Sequence, residues 1–271
     1  MSELVQMFSY TFMQRALIVG VLVSLCAALL GVSLVLKRYS MIGDGLSHVG
    51  FGALAVASAL HLAPLIVAVP VVMLAAVLLL RMSQSSRIKG DAGIALVSSS
   101  ALAIGVITVS VTTGMNTEVS SYMFGSVLSL SRPDAILSVL LSLGVLALFC
   151  LFYPRLFAVT FDETFTKATG TRTGLYNTLL ALLTAVTVVL GMRMMGALLI
   201  SSLIIFPALS AMRLCRSFRG VILCAAAVSV GCFLIGLIAS YFLETPTGAS
   251  IVAANLLVFL VFSVLGKRII H

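Results

Sequence analysis

Apolar runs of about twenty residues follow one another along the chain from Ala16 to Leu265. A helix needs roughly 20 apolar residues to cross a bilayer, and the alternating pattern of a membrane barrel is absent. The pattern predicts an all-α, polytopic bundle that forms one transmembrane domain over residues 1–271, with about nine spans and a range of eight to ten. The predicted spans are 16–36, 41–60, 62–81, 92–113, 134–153, 174–191, 194–212, 220–242 and 248–265.

Two segments depart from this pattern. Residues 117–131 are too short and too polar for a crossing, which predicts a re-entrant or interfacial segment. Residues 2–15 mix apolar and polar positions so that Leu4, Phe8 and Phe12 share a face, which predicts an interfacial helix on the outer surface.

Composition and charge agree with a membrane protein. The chain is 61% hydrophobic and 9% charged, whereas average soluble chains are about 25% charged. Its net charge of +8 does not indicate nucleic-acid binding, because the basic residues lie in short clusters between apolar runs. With the loop of Lys37 and Arg38 placed inside, only Arg15, Arg132 and Arg193 of the 16 basic residues remain outside. This predicts an outer N-terminus and an inner C-terminus, provided that 117–131 does not cross.

The run 41–52 places Asp44 and His48 four residues apart in a predicted span, so they share one helix face. Ionisable residues at membrane depth usually line a pathway or a bundle interior. Carboxylate and imidazole are also ligands for divalent transition metals. By helical rise, His48 lies about 15 Å beyond Arg38, close to the middle of a hydrocarbon core about 30 Å thick. The pair predicts a metal pathway.

Two alternatives compete for this face. One is a buried Asp–His hydrogen bond that only fixes helix packing. The other is an intramembrane serine hydrolase using Ser47, but neighbouring helix residues point about 100° apart, so Ser47 and His48 cannot easily bond to each other. Several glycines make the helix slim, so a second copy could pack nearby and bring its own Asp and His. The glycines are Gly43, Gly45, Gly50 and Gly52.

Residues 161–170 predict a short helix in an inner loop. Asp162 and Glu163 come early and Lys167 late, as the helix dipole prefers, and Gly170 is placed as a stop. Phe161 and Phe165, four apart, would form an aromatic face that docks to a partner; the alternative is packing against its own bundle. No G-x-x-x-x-G-K-[ST] loop occurs, so ATP-driven transport would need another subunit.

Weaker candidates lie at the outer loops. His61 could hand an ion inward, and Glu118 and Glu244 could touch a delivery protein, although solvated loop residues are the commoner case. The cluster of Met192, Met194 and Met195 indicates packing more strongly than a soft-metal site.

Six motifs, in order and over essentially the full chain, resemble the permease subunits of bacterial zinc/manganese ABC importers, the ABC-3 metal transporter family. The Gly-Asp-x-Leu-Ser-His element is the most specific. The motifs are Arg38–His48, Asp91–Ile94, Tyr122–Ser126, Phe161–Phe165 with Gly170, Met195–Ala208 and Pro246–Ser250.

The resemblance implies a multi-pass subunit of the bacterial cell membrane that works as a homodimer with an ABC ATPase and an extracytoplasmic metal-binding protein. The chain itself would not be an enzyme and would hold no permanent cofactor. Asp44 and His48 match the metal-coordinating pair, and Phe161, Asp162, Glu163, Phe165 and Gly170 match the ATPase-coupling helix. The cargo would be zinc or manganese, with ferrous iron also compatible. A metal channel or an ion-coupled carrier without an ATPase is the alternative.

Overall fold

The structure is a computed structural model that describes residues 9–84, 90–112, 122–125, 130–197 and 199–270. Eleven helices form within these ranges, and a helical turn lies at 122–124. The helices are α1 Thr11–Leu36, α2 Ser40–Ala59, α3 Pro64–Gln84, α4 Gly90–Val111, α5 Arg132–Leu151, α6 Tyr153–Phe161, α7 Glu163–Ala168, α8 Thr173–Met195, α9 Ile200–Leu214, α10 Phe218–Leu243 and α11 Thr247–Ile270.

The predicted fold class, a polytopic helical bundle, is confirmed. Among the described residues, seven helices are long and apolar enough to cross a membrane, and α9 is a shorter apolar helix. The helix α2 is not one of the seven, because Asp44, His48 and its glycines lower its hydropathy. Each of the nine predicted spans coincides with one helix, counting α2 and α9.

The boundary between the sixth and seventh predicted spans was misplaced. The sequence predicts a break after 191, but α8 continues to Met195 and ends at Gly196. Gly196 has a φ of 87°, a backbone conformation that side chains with a Cβ rarely adopt. Gly191 lies inside the helix instead, where Ile200 packs against it.

The helix α8 is the centre of the bundle, and α4 lies at its edge. In their apolar windows, 83% of the residues of α8 are buried, against 11% for α4. Four earlier helices surround α8, namely α1, α2, α3 and α5. A second group, α9, α10 and α11, packs together and against α1.

Contacts group the loops at two ends. At the end that the charges place inside, the loop 37–39 meets α7, and Phe161 packs against Phe218 at the start of α10. At the other end, Tyr122 bonds to Ser58, and Arg193 bonds to Asp134. We call these the inner and outer ends.

The described part of segment 117–131 lies at the outer end. Residues 122–125 contact α2 and the end of α8, and α5 begins at the same end with Asp134 beside Arg193. The other residues of the segment, including Glu118, lie outside the described ranges. Residues 2–8 of the predicted interfacial helix also lie outside them, whereas residues 11–15 form the first turn of α1 rather than a separate helix.

Candidate functional site

The helix α2 presents Asp44 and His48 on its one uncovered face. A three-residue turn, in which Arg38 has a φ of 59°, reverses the chain between α1 and α2. Between Ile42 and Ala55, every residue except Asp44 and His48 is buried. From Ile42 to Ala55, the chain therefore covers every side of this helix except the stripe that carries the two candidate ligands.

The two side chains lie side by side without a hydrogen bond between them. His48 Nε2 is 3.7 Å from Asp44 Oδ2, longer than a hydrogen bond. The side chain of Asp44 is 37% exposed and that of His48 is 15% exposed. His48 Nδ1 is buried and has no hydrogen-bond partner among the described residues. A packing role through a tight Asp–His bond is not supported by this geometry.

Ser47 does not take part in a hydrolytic arrangement. Its hydroxyl donates to the carbonyl oxygen of Asp44 at 2.7 Å, which is a bond within the helix, and the residue is fully buried. The hydroxyl is thus held away from His48, as the helix geometry predicts.

The glycines of α2 let other helices of the same chain approach closely, while the approach of a second copy stays a prediction. A Cβ on Gly45 would meet Ile94 of α4, and one on Gly52 would meet the carbonyl oxygen of Ala101. Gly50 faces the sulfur of Met192, and Gly43 faces α9. Their absent side chains let α3, α4, α8 and α9 close around the other faces of α2.

The weaker candidates fall into two groups, buried packing residues and exposed residues at the outer end. Met192, Met194 and Met195 are buried, as packing residues are. His61 is exposed in the turn after α2, and Glu244 is exposed where α10 ends, each with a positive φ. Glu244 lines a cavity of about 330 Å³ together with Phe12 and Tyr241. The structure brings none of these residues to Asp44 and His48.

The predicted helix at 161–170 exists, but its aromatic face is different. Asp162 caps α7 by accepting the Phe165 N–H at 2.8 Å, and Gly170 has a φ of 83° just after it. Phe161, however, ends the preceding helix α6 and packs against Phe157 and Phe218 at 4.8 and 5.5 Å between ring centroids. The two phenylalanines therefore do not share one helix face. Phe165 projects from α7 with 66% of its area exposed, and Phe161 at the end of α6 remains 57% exposed.

A polar cluster that was not predicted from the sequence holds α7. Lys37 Nζ donates to Glu163 Oε2 at 2.8 Å, to Asn177 Oδ1 at 2.6 Å and to the carbonyl oxygen of Val159 at 3.1 Å. Asn177 Nδ2 donates to Glu163 Oε1 at 2.8 Å. The signal that could have found it is Asn177, an amide in an apolar span.

A second unpredicted cluster closes the outer end. Arg193 donates to Asp134 at 2.6 Å and lies over the ring of Tyr122 at 5.7 Å. The Tyr122 hydroxyl bonds to Ser58 at 2.9 Å. Arg193 is 8% exposed, so the sequence expectation that it is a loop charge was wrong. The cluster joins α2, α5, α8 and residues 122–125.

These features define a class of protein: a multi-pass helical membrane protein with an ionisable pair on an uncovered helix face and a short amphipathic helix at its inner end. In the described ranges no cluster of three or more His, Cys, Asp or Glu side chains occurs. Asp44 and His48 are therefore the two candidate ligands at this face.

Comparison with known proteins identifies the family. The model of the ABC 3 transport family matches residues 9–266, so the chain belongs to this family. It is 30% identical to the manganese import system permease protein ScaB of Streptococcus gordonii over 93% of this chain and 90% of that one. It is 29% identical to the high-affinity zinc uptake system membrane protein ZnuB of Haemophilus influenzae over 90% of this chain and 94% of that one.

A solved structure has the same fold. PsaBC from Streptococcus pneumoniae in complex with Fab matches 96% of this chain and 94% of that one, with a TM-score of 0.87 and 29% identity. The chain is accordingly a permease subunit of an ABC transporter, a multi-pass protein of the bacterial cell membrane.

Proposed function

We propose that the chain forms the translocation pathway of an ATP-driven importer of divalent transition-metal ions, zinc or manganese, with Asp44 and His48 as the intramembrane ligands. The observation that carries the proposal is the uncovered stripe of α2. Its two ionisable residues are open on a helix that the same chain otherwise buries completely between Ile42 and Ala55. Lipid is a poor environment for such residues, so the stripe faces a polar pathway.

The importer works as a homodimer in this proposal. Zinc commonly takes four ligands, and one chain offers a carboxylate and an imidazole at this face. A second copy related by two-fold symmetry supplies the other two. The geometry of the pair supports ligation. His48 Nε2 and Asp44 Oδ2 are 3.7 Å apart and do not bond to each other, so both atoms are free to bind one metal ion.

The metal is assigned by chemistry and by relatives together. Mixed oxygen and nitrogen ligands suit zinc, manganese and ferrous iron, and affinity order alone does not choose among them. The names of the relatives assign manganese import to one and zinc uptake to another. Zinc and manganese are therefore the cargo we propose for this chain, with iron third.

An ABC ATPase and an extracytoplasmic metal-binding protein complete the importer. The relevant surface for the ATPase is α7, where Phe165 projects from a helix of six residues. ATP-driven closure of the ATPases then moves α7 and reopens the pathway on alternate sides. Family membership favours this mechanism over a channel or an ion-coupled carrier.

ATP-dependent uptake into vesicles tests the proposal. The permease is reconstituted with its ATPase, with ATP on the ATPase side and the metal-binding protein on the opposite side, and uptake of Mn²⁺ and of Zn²⁺ is measured separately. Loss of residues that only support a metal ligand costs about 10–100-fold, so Asp44→Ala and His48→Ala, which remove ligands, should each lower uptake by about 100-fold or more.

The matched control is His61→Ala, which removes a histidine from the exposed turn at the outer end of α2 and should leave uptake within about twofold of wild type. Wild-type uptake by the Asp44 and His48 variants would refute the ligand assignment. Uptake that needs no ATP would refute the importer and favour the carrier.

A further inference from the structure

Lys37, Glu163 and Asn177 form a closed ring of hydrogen bonds at the inner end. Lys37 donates to one oxygen of Glu163 and to the amide oxygen of Asn177, and the amide nitrogen of Asn177 donates to the other oxygen of Glu163. The third proton of the ammonium group is taken up by the carbonyl oxygen of Val159. Every polar atom of the ring therefore has a partner.

The ring is shielded although it contains a charge pair. The Lys37 side chain is 5% exposed and Asn177 is 2% exposed, while the Glu163 side chain is 42% exposed. Removing one partner of a buried pair leaves the other charge without compensation and is strongly destabilising to the contact. The ring is thus a rigid connection, referred to below as the joint, and its most exposed member is Glu163 of α7.

The position of Lys37 gives the joint its significance. Lys37 directly follows the last residue of α1, and α2 begins three residues later at Ser40. The turn is tight, with Tyr39 N–H donating to the carbonyl oxygen of Leu34 at 2.8 Å. Asp44 lies on the second turn of α2, so a displacement of Lys37 is passed through one short turn to the helix that carries the ligands.

We propose that Lys37 and Asn177 are positioning residues for transport: the ring joins the coupling helix α7 to the turn before α2 and converts movement of α7 into movement of the Asp44–His48 face. The inference rests on the proposed function and adds the connection between its two sites. The neighbouring contact of Arg155 with Tyr176 links α6 to α8, whereas the ring links α7 to the turn before α2.

Glu163→Gln is the variant that opens the ring with the smallest change. Glutamine has the shape of glutamate but one acceptor oxygen, and two donors, Lys37 and Asn177, converge on the two oxygens of Glu163. In vesicles containing permease and ATPase, with the metal-binding protein on the side opposite the ATPase, we measure Mn²⁺ or Zn²⁺ imported per ATP hydrolysed. This ratio should fall by about tenfold, while the ATPase remains bound to the permease.

A second substitution in the ring should restore the ratio. In Glu163→Gln with Asn177→Asp, the amide and the carboxylate exchange places. Lys37 again has two acceptors, and the amide at 163 can donate to the carboxylate at 177. The double variant should recover the ratio to within about twofold of wild type. Asn177→Asp alone should lower it, because two carboxylates then compete for one lysine.

Arg216→Gln is the control, since it removes a charge from an exposed position at the inner end that lies outside α7. A merely structural role of the ring would lower the amount of assembled complex and leave metal imported per ATP unchanged. An unchanged ratio in Glu163→Gln, an equal loss in Arg216→Gln, or no recovery in the double variant would each overturn the inference alone. Absence of ATP-dependent uptake by the wild type would overturn the proposed function, and the inference with it.

Discussion

The glycines of α2 determine which way its two ionisable side chains point. Gly45 and Gly52 let α4 approach α2 so closely that a Cβ would come within 2.8 Å of Ile94 and 2.6 Å of the Ala101 carbonyl oxygen. With these faces closed, Asp44 and His48 remain on the open stripe. The placement of the ligands is thus a result of the packing of small residues on the other faces of the same helix.

Gly196 is a residue where both backbone conformation and close packing oppose a single added methyl group. Its φ is 87°, and a Cβ there would lie 2.2 Å from the carbonyl oxygen of Met123. Gly196→Ala should therefore destabilise the permease by about 1–3 kcal/mol from backbone strain, with the clash adding to it. Thermal unfolding of the purified permease in detergent measures the effect.

Gly231→Ala serves as the comparison, because a Cβ at this position in α10 meets nothing within 4 Å. Alanine is the better helix former, so this variant should be neutral or slightly more stable. If Gly196→Ala unfolds at the same temperature as Gly231→Ala, the close approach of residues 122–125 to the end of α8 does not contribute to stability.

Residue-scale prediction from sequence succeeded where the argument was local. Spacing along one helix places Asp44 and His48 on one face, and the structure has them there. It failed for Lys37 and Asn177, 140 residues apart, because only the packing of α1 against α8 brings them together. The spacing of Phe161 and Phe165 predicts one shared helix, but Asp162 caps a new helix between them and so separates the two residues.

At the scale of elements, the inner loop is two helices with different tasks. The helix α6 is anchored by Phe157 and Phe161, which pack against Phe218. The helix α7 is held by Glu163 on one side and offers Phe165 on the other. An anchored helix followed by a short helix with one exposed aromatic ring is a suitable arrangement for a partner contact.

Phe165→Asp should separate the permease from its ATPase. In the proposed complex the ring enters an apolar groove, and a carboxylate there would be buried without a partner, at a cost of several kcal/mol. ATPase recovered with the permease after affinity purification should fall by about tenfold or more, as it does when a central aromatic anchor is lost.

Thr164→Asp adds the same charge at the neighbouring exposed position of α7 and should keep most of the ATPase bound. Both variants should remain in the membrane in wild-type amounts, since Phe165 has no ring partner in the part of the chain that the structure describes. Equal binding of ATPase by wild type and Phe165→Asp would contradict the assignment of α7 as the coupling element. The inner loop at residues 82–91 would then be the next candidate for the ATPase contact.

At the scale of the whole molecule, the two ends of the bundle carry different chemistry. The inner end holds Lys37, Arg155 and α7, and the outer end holds Arg193, Glu244 and residues 122–125. The helix α4 ends before residues 122–125, and α5 begins after them at the outer end.

Cysteine labelling with a membrane-impermeant reagent tests this topology in a cysteine-free background. Thr245, in the exposed turn after α10, should react from outside the cell. Thr164, exposed on α7, should react only after the membrane is opened. Thr166 of the same helix is not a suitable labelling position. It is 5% exposed, so the reagent would not reach it from either side of the membrane. Labelling of Thr164 in intact cells would reverse the assigned orientation.

Whole-molecule prediction from sequence was accurate for the existence of helices and weaker for their ends. Hydropathy identifies apolar stretches wherever they lie, so each predicted span has a helix. It cannot distinguish a glycine inside a helix from one that ends it. The predicted span therefore ends at Gly191, whereas the helix ends at Gly196. It also cannot rank spans by depth, and the central place of α8 follows from packing alone.

The central position of α8 also has a consequence for biosynthesis. Chains emerge N-terminus first at about 5–20 residues per second, so α1 to α5 leave the ribosome before α8 does. During that interval the faces that will later enclose α8 are uncovered, and Asp134 lacks the arginine that pairs with it. A nascent chain interrupted before α8 therefore displays an unpaired carboxylate and an open groove, the features by which a cell can distinguish an unfinished permease from a finished one.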